Sequence, residues 1–252
     1  MIKQIYTRAF NILMKMPLKL WGLSLLSGFL TLLVLIFGFL PIISIPVIVT
    51  LNAGMAAVYL DGYNGKEVYS DQLFSGFKNF GHVAGGMCWK SLWVLLWFLI
   101  PIAGPVIAII KSLSYAFTPY ILTQEPEINA TETLRKSMEK TNGYKANMFL
   151  AIIVPSIAFA MLSIILNTLA MIPFIGILFA AVSFIVSLIF ALFAPMFFGL
   201  VEAGFYDYAK SNVYHAPAVN NINAPKVTCK ACGHENVAGT KFCGKCGTKI
   251  EE

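Results

Sequence analysis

Two long stretches of this chain carry no charged side chain. Residues 20–60 form one stretch of 41 residues, and residues 146–201 form another of 56 residues. As α-helices these stretches would be about 60 and 85 Å long, whereas the hydrocarbon core of a bilayer is about 30 Å thick. Only 12% of the 252 residues are charged, against about 25% in ordinary soluble chains. The chain is therefore predicted to be an all-α integral membrane helical bundle in which each stretch crosses the bilayer twice.

Proline and glycine residues indicate where each stretch turns back. Gly38 and Pro41 divide the first stretch, and Pro173 and Gly176 divide the second, because both residue types interrupt a regular helix. The four spans predicted in this way are residues 20–40, 42–60, 148–172 and 175–200.

A third apolar stretch, residues 91–124, is interrupted by Lys111 alone. Its 34 residues are long for one crossing and short for two. Pro101, Gly104 and Pro105 would break the backbone hydrogen bonds near its centre. We predict a helical hairpin here, and a single crossing is the alternative. The two segments of the hairpin are residues 91–103 and 106–123.

The positions of lysine and arginine favour the hairpin. Of the 18 cationic residues, 17 lie before the first span, in the connections at residues 61–90 and 125–145, or after the last span. Such residues collect on the cytoplasmic side of a membrane, and a hairpin places all of these on one side. We therefore predict about six membrane segments within a polytopic domain at residues 19–210, with both termini in the cytoplasm. Five spans with one terminus outside are the alternative.

The first 18 residues have an amphipathic pattern of their own. Ile2, Ile5, Ala9 and Ile12 recur at helical spacing, and polar and cationic residues take the opposite face. This pattern predicts a helix at residues 1–18. The helix either lies in the cytoplasmic interface of the membrane or packs on the end of the bundle.

The connection at residues 125–145 carries the signals of a short helix. Asn129 is a candidate N-cap, Glu132 and Lys136 stand four positions apart as an ion pair, and Gly143 is a candidate C-cap. We expect an amphipathic helix that docks on the bundle, with a partner-binding helix as the alternative.

No arrangement of residues typical of catalysis is recognisable. His82, His215 and His234 stand apart from one another, and no nucleophile or phosphate-binding motif accompanies them. Glu202, at the end of the last span, is interpreted as an interfacial anchor, and Lys111 is the one ionisable residue expected inside a span. The chain is therefore predicted not to be an enzyme and to have no catalytic residues.

The C-terminal part carries four cysteines in a metal-binding pattern. Cys229 and Cys232 form one CxxC pair, and Cys243 and Cys246 form a second pair after ten intervening residues. Two such pairs bind one zinc ion tetrahedrally and leave no open position, so we expect structural Zn²⁺. A segment this small cannot bury a core of its own, hence the metal supplies the folding energy. Two disulfides are the alternative, which fits poorly with a cytoplasmic tail.

These cysteines define the last two regions of the chain. The pattern predicts a small β-rich zinc ribbon at residues 226–250, joined to the membrane domain by a polar linker at residues 211–225. Such a linker gives the ribbon a reach of tens of Å when it is flexible.

Two resemblances support this organisation. The segment CKACGHENVAGTKFCGKCGTKI at residues 229–250 resembles the short zinc ribbons attached to many bacterial membrane proteins. Residues 60–210 are similar to a bacterial family of polytopic membrane proteins, the domain of unknown function nine-seven-five. That similarity is carried by FSGFK at residues 74–78, the segment from Trp97 to Pro101, YAFTPYIL at residues 115–122, a helix centred on Ser137, NGYK at residues 142–145 and Phe205-Tyr206.

The family resemblance implies a layout rather than an activity. It implies six-odd helices around a kinked middle hairpin in a bacterial cytoplasmic (plasma) membrane. The chain departs from the family because Pro101 and Gly104 are separated, where the family has an adjacent Pro-Gly pair. The family has no established activity, so no functional residue is carried over from it.

These observations favour a non-enzymatic membrane adaptor or regulator, anchored in the lipid bilayer, that presents its zinc ribbon to a cytoplasmic protein partner. The alternative is a small-molecule or lipid transporter, or a lipid-handling protein, that uses the broken middle hairpin. A polar cavity at residues 101–111 that reaches Asn52 or Asn167 would favour this alternative. The weak positive charge of the ribbon and its single aromatic residue argue against a nucleic acid partner, and the oligomeric state stays open.

Overall fold

The computed structural model describes residues 1–37, 41–211, 226–228 and 235–237. The chain forms two compact units, Met1–Asn212 and Val213–Glu252. The first unit is an all-α helical bundle, and a short 3₁₀ helix (Ser75–Asn79) precedes its fifth α-helix. The α-helices of this unit are α1 (Ile2–Lys15), α2 (Pro17–Phe37), α3 (Pro41–Tyr63), α4 (Ser70–Leu73), α5 (Phe80–Phe98), α6 (Gly104–Ser114), α7 (Thr118–Gln124), α8 (Ala130–Lys140), α9 (Lys145–Leu169) and α10 (Gly176–Ser211).

Five helical stretches within the described ranges are long and apolar enough to cross a membrane. Helix α5 is not among them, because it contains a histidine and a lysine in addition to its apolar residues. The five stretches are Pro17–Ile36, Ile42–Tyr63, Gly104–Gln124, Lys145–Leu169 and Gly176–Ser211. They support the prediction of a membrane protein, and the count of about six membrane segments stays a prediction.

The middle stretch folds as an antiparallel helical hairpin. Residues 99–103 connect α5 to α6. Near this turn the Lys111 ammonium lies 5.1 Å from the ring centre of Trp97. At the far end Gly86 packs against Leu122. Since early residues of α5 meet late residues of the returning segment, the chain runs back along α5.

Helix α5 begins earlier than the sequence predicts. It starts at Phe80 rather than near residue 91, so Lys90 lies inside the helix instead of in a connection. Val83 and Met87 in this additional part are buried, and α5 packs against α3. The membrane segment at residues 91–103 stays a prediction, because a helix can begin before the part of it that enters a membrane.

Helix α1 packs on the bundle through its apolar face. Ile5, Ala9 and Leu13 are buried, and the helix lies against α10. Phe10 and Met14, on the other side, are 54% and 63% exposed. Of the two arrangements expected for this segment, the structure has the helix packed on the bundle.

The signals read in the connection at residues 125–145 have mixed outcomes. The Asn129 N-cap is confirmed, because its side-chain oxygen accepts a hydrogen bond of 2.8 Å from the Glu132 N–H. The expected ion pair between Glu132 and Lys136 is wrong. Lys136 instead faces the turn that precedes α8 and lies 2.6 Å from the Glu125 carboxylate, while Arg135 contacts Glu132 at 3.4 Å.

The first unit contains two zones that differ in what they bury. We call residues 25–36, 42–45, 92–110 and 149–193 the membrane band, because most of their large apolar side chains are exposed. On α10 this band runs from Ile177, which is 84% exposed, to Phe193, which is 39% exposed. That distance is about 25 Å along a helix, close to the roughly 30 Å of a hydrocarbon core.

The second zone contains the hydrophobic core. We call residues 5–23, 50–87, 114–148 and 196–209 the packed zone. Its largest fully buried side chains are Tyr120, Tyr206, Phe117 and Phe205. The short helix α4 closes this zone against α3, where Gly54 leaves room for the Leu73 backbone. The buried residues of the membrane band are all small, namely Ser27, Ser44, Gly104, Ala108, Ala151, Gly176 and Ser183.

The second unit contains one antiparallel pair of strands among its described residues. Strand β1 (Lys226–Thr228) pairs with β2 (Glu235–Val237), and Val227 lies opposite Asn236. The predicted zinc ligands Cys229, Cys232, Cys243 and Cys246 lie outside the described residues, as do residues 212–225 of the predicted linker. The zinc ribbon therefore stays a prediction.

Candidate functional site

A cavity with a polar end and an apolar end lies in the first unit, between helices α2, α3, α5 and α10 and the start of α7. Its volume is about 910 Å³, which is within the usual range of small-molecule sites of roughly 300–1,000 Å³. We call it the central cavity. Its polar lining consists of Ser24, Ser27, Thr31, Asn52, Tyr59, Lys90, Ser91, Tyr120 and Glu202.

Two side chains of opposite charge line this cavity. Lys90 comes from the middle of α5 and Glu202 from α10, and each is the main electrostatic partner of the other. Both side chains are half-buried and line the cavity. Removing a charged side chain from water costs free energy, so partly buried charges that line a cavity are candidates for a functional site.

These two charges are not joined directly. Among the ion pairs of the described residues, all with N to O distances of 4.0 Å or less, none includes Lys90 or Glu202. A charged pair that only stabilises a fold requires close contact to offset the loss of hydration. The separation instead leaves hydrogen-bonding capacity on both groups for a molecule that occupies the cavity.

A tyrosine on each side completes the polar end of the cavity. Tyr59 lies flat against α10 because Gly199 has no side chain there, and a Cβ atom at that position would overlap the ring. Tyr120 is 1% exposed and stacks on Tyr206 at 4.8 Å between ring centres. The Tyr206 hydroxyl donates a hydrogen bond of 3.1 Å to the Gln124 side chain. These contacts fix the tyrosines on rigid helices.

A second polar pocket lies one helical turn beyond this tyrosine stack. Its volume is about 550 Å³, and Asp61, Lys66, Gln124 and Lys210 contribute to its lining. Tyr206 also lines it, so the stacked tyrosines separate this pocket from the central cavity.

Charged side chains near this end of the bundle have shifted pKa values. A hydrogen bond from Tyr69, together with the charge of Lys19, lowers the pKa of Glu67. Burial lowers the pKa of Lys140, whose ammonium lies 5.7 Å from the ring centre of Tyr206. Neither Glu67 nor Lys140 lines the central cavity.

The other end of the cavity has apolar walls that also face outward. Leu25, Phe29 and Leu32 of α2 line the cavity and are 44%, 57% and 53% exposed. Leu192 and Pro195 of α10 stand opposite them. The cavity therefore opens sideways between α2 and α10, at the level of the membrane band.

The residues that form this site were assigned other roles in the sequence. Lys90 was expected in a connection and Glu202 as an interfacial anchor, yet both line the cavity together with Asn52. Lys111, the one charge expected inside a span, lies outside this cavity and over Trp97. Asn167 bonds the Ser163 carbonyl of its own helix.

A cavity at the hairpin break, which would have favoured the transporter alternative, is not the central cavity. None of residues 101–111 contributes to the lining of the central cavity. One signal pointed to the true site, since Lys90 and Glu202 both directly adjoin long apolar stretches. Pairing them required the fold, because they are far apart in the sequence.

No metal centre or known relative defines this site further. Within the described ranges, no three histidine, cysteine or acidic residues lie close enough to hold a metal ion. No family model, no curated protein and no solved structure matches the chain. The chemistry of the central cavity is therefore the basis for the function.

Proposed function

We propose that this chain is a multi-pass membrane protein that binds a small polar or amphipathic molecule in the central cavity. In this role it is a transporter or lipid-handling protein and carries out no chemical conversion. The observation that carries the proposal is the pair of charges, Lys90 and Glu202, held apart in a cavity of about 910 Å³. The site differs from the broken hairpin considered from the sequence, because it lies on the other side of α5.

The geometry favours binding over a purely structural role. Carriers place their polar groups near the middle of the bundle, where discontinuous or closely packed helices present them to a ligand. Here α5 supplies a cation, α10 an anion and α3 the neutral amide of Asn52. Their donors and acceptors together fit a ligand that carries both charges.

The test is the retention of small molecules by the purified full chain. Native mass spectrometry of the protein extracted in mild detergent should show a bound non-protein mass. Lys90→Met and Glu202→Gln should each reduce the occupancy about tenfold, which corresponds to about 1.4 kcal/mol. Lys111→Met is the matched control, because this lysine also lies in an apolar helix but outside the cavity.

Two outcomes are decisive. The double variant Lys90→Met/Glu202→Gln removes both charges and leaves no single charge uncompensated, so it should fold and still fail to retain the molecule. Equal occupancy in the wild type, the double variant and the Lys111→Met control would overturn the proposal.

We propose a second role for the C-terminal part, namely a structural zinc ribbon that binds a cytoplasmic protein partner. Support comes from the spacing of the two CxxC pairs. Metal analysis should find one zinc per chain, and Cys232→Ser should lower it. If the chain without residues 226–252 still binds every protein partner of the full chain, the adaptor role is contradicted.

The proposal places six segments in a bacterial cytoplasmic membrane with both termini in the cytoplasm. Apart from Lys90 in α5 and Lys111 in α6, the cationic residues all fall on the predicted cytoplasmic side, and this distribution supports the orientation. A reporter enzyme fused after Glu252 should be active only in its cytoplasmic form. Activity of a periplasmic reporter at that position would exclude both this topology and a reduced zinc site.

A further inference from the structure

We infer that the ligand of the central cavity is a membrane amphiphile with a zwitterionic headgroup, and that it enters sideways between α2 and α10. The inference depends on the proposed function, since it names the class of molecule and its route. It is argued from the depth of the polar groups, from the side opening and from the charges themselves.

Two of the polar groups lie at the depth of lipid headgroups. On α2 the polar Ser24 directly precedes Leu25, the first residue of the membrane band, and on α5 Lys90 lies two residues before Leu92. Both therefore lie where the band meets the packed zone, which is the level of the headgroups in one leaflet. On α10, Glu202 comes nine residues after Phe193, the last residue of the band, and lies within the packed zone.

The apolar part of the cavity lies at the depth of the acyl chains. Leu25, Phe29 and Leu32 belong to the membrane band, and each is exposed at the surface while it lines the cavity. A polar solute gains nothing from such a wall, whereas an acyl chain loses no apolar contact when it moves from the bilayer into the opening. The opening therefore fits a molecule whose tail stays in the membrane.

The two charges define the headgroup. Lys90 attracts an anionic group such as a phosphate, and Glu202 attracts a cationic group and accepts hydrogen bonds from a primary ammonium. A headgroup with both groups compensates both side chains at once. An anionic headgroup without a cation would compensate Lys90 alone and would face the Glu202 carboxylate.

Helix α2 offers a matched pair of glycines for a test of the route. Gly28 lines the cavity, and Gly22 does not. A Cβ atom added at either position meets nothing within 4 Å, so neither backbone position excludes a side chain. Gly28→Phe should fill the opening, whereas Gly22→Phe should leave it unchanged.

The experiment uses the full chain in nanodiscs that contain equal amounts of phosphatidylethanolamine and phosphatidylglycerol. Lipids that remain bound are counted by native mass spectrometry after release from the disc. The wild type and Gly22→Phe should retain phosphatidylethanolamine about tenfold over phosphatidylglycerol. Gly28→Phe and the double variant Lys90→Met/Glu202→Gln should lose this preference, and Gly28→Leu should show an intermediate loss if Gly28→Phe does not fold.

The outcomes separate this inference from the proposed function. If the charge variants lose the bound molecule while Gly28→Phe retains it, the cavity binds a ligand but the sideways route is wrong. If the wild type retains phosphatidylglycerol equally well, the zwitterionic class is wrong. If the charge variants and Gly28→Phe all behave as the wild type, both the inference and the proposed function fail.

Discussion

The membrane band and the packed zone are built from the same helices but obey different rules. In the packed zone the buried side chains include large aromatic ones, such as Tyr120 and Phe205. In the band the buried residues are glycine, alanine and serine, and the large apolar side chains face outward. Because lipid is as apolar as leucine, moving a leucine from lipid into the protein interior gives no gain in free energy in the band. Small residues are buried there because they let the helices approach each other closely. An apolar side chain of the membrane band and one of equal hydropathy in the packed zone therefore contribute differently to the stability of the fold.

The two zones also explain the position of the central cavity. The packed zone can hold polar side chains in fixed positions, as it does for Tyr120 and Glu202, because their neighbours are close-packed. The band can leave a gap between α2 and α10, because lipid fills it at no cost. A polar site with an apolar opening arises where the zones meet.

The largest difference between the zones should appear at two glycines. A Cβ atom at Gly54, in the packed zone, would overlap the Leu73 backbone, whereas one at Gly28, in the membrane band, meets nothing within 4 Å. Gly54→Ala should therefore lower the free energy of unfolding by about 3 kcal/mol or more. Gly28→Ala should raise it by up to about 1 kcal/mol through helix propensity. Denaturant titration in mixed micelles measures both, and a small effect at Gly54 would argue against the close approach of α4 to α3.

Two leucines of α10 provide the next comparison. Leu200 is fully buried in the packed zone, and Leu188 is 48% exposed in the membrane band. Leu200→Ala should cost about 2–5 kcal/mol, because it leaves a cavity in a close-packed core. Leu188→Ala should cost less than about 1 kcal/mol, because lipid takes the place of the removed atoms. Equal losses of stability in micelles would remove the distinction between the zones.

Two serines should show a smaller difference. The Ser137 hydroxyl is buried, donates a hydrogen bond of 2.9 Å to the Ser114 carbonyl and accepts one of 3.2 Å from the Phe117 N–H. Ser137→Ala should cost about 1–3 kcal/mol, because a buried N–H loses its acceptor. Ser156, in the band, bonds the Ile152 carbonyl of its own helix, so Ser156→Ala should cost less than about 0.5 kcal/mol. Melting temperatures of the two variants, compared in one detergent, decide between these values.

The sequence predicts the band better than the packed zone. Long uncharged stretches and their proline and glycine breaks lie close to the bounds of α2, α3 and α9 and to the start of α10, whereas α10 continues to Ser211, past the predicted end at residue 200. The packed zone depends on contacts between distant segments, such as α4 against α3. Such contacts leave no periodic pattern of apolar residues in the sequence of either helix.

The same reason explains the missed site. Lys90 and Glu202 each adjoin an apolar stretch. From the sequence alone, Lys90 is therefore assigned to a connection and Glu202 to the membrane interface. Only the packing of α5 and α10 around α2 and α3 brings them to one cavity. Asn129 was predictable because an N-cap is a local feature, and its hydrogen bond to Glu132 is confirmed.

The central claim is that Lys90 and Glu202 are held apart in order to bind a molecule between them. An experimental density map of the full chain in nanodiscs of phosphatidylethanolamine and phosphatidylglycerol tests it most directly. The account predicts density for a headgroup between the Lys90 ammonium and the Glu202 carboxylate, with a tail that leaves between α2 and α10. A closed cavity in which the two side chains bond each other directly would contradict it.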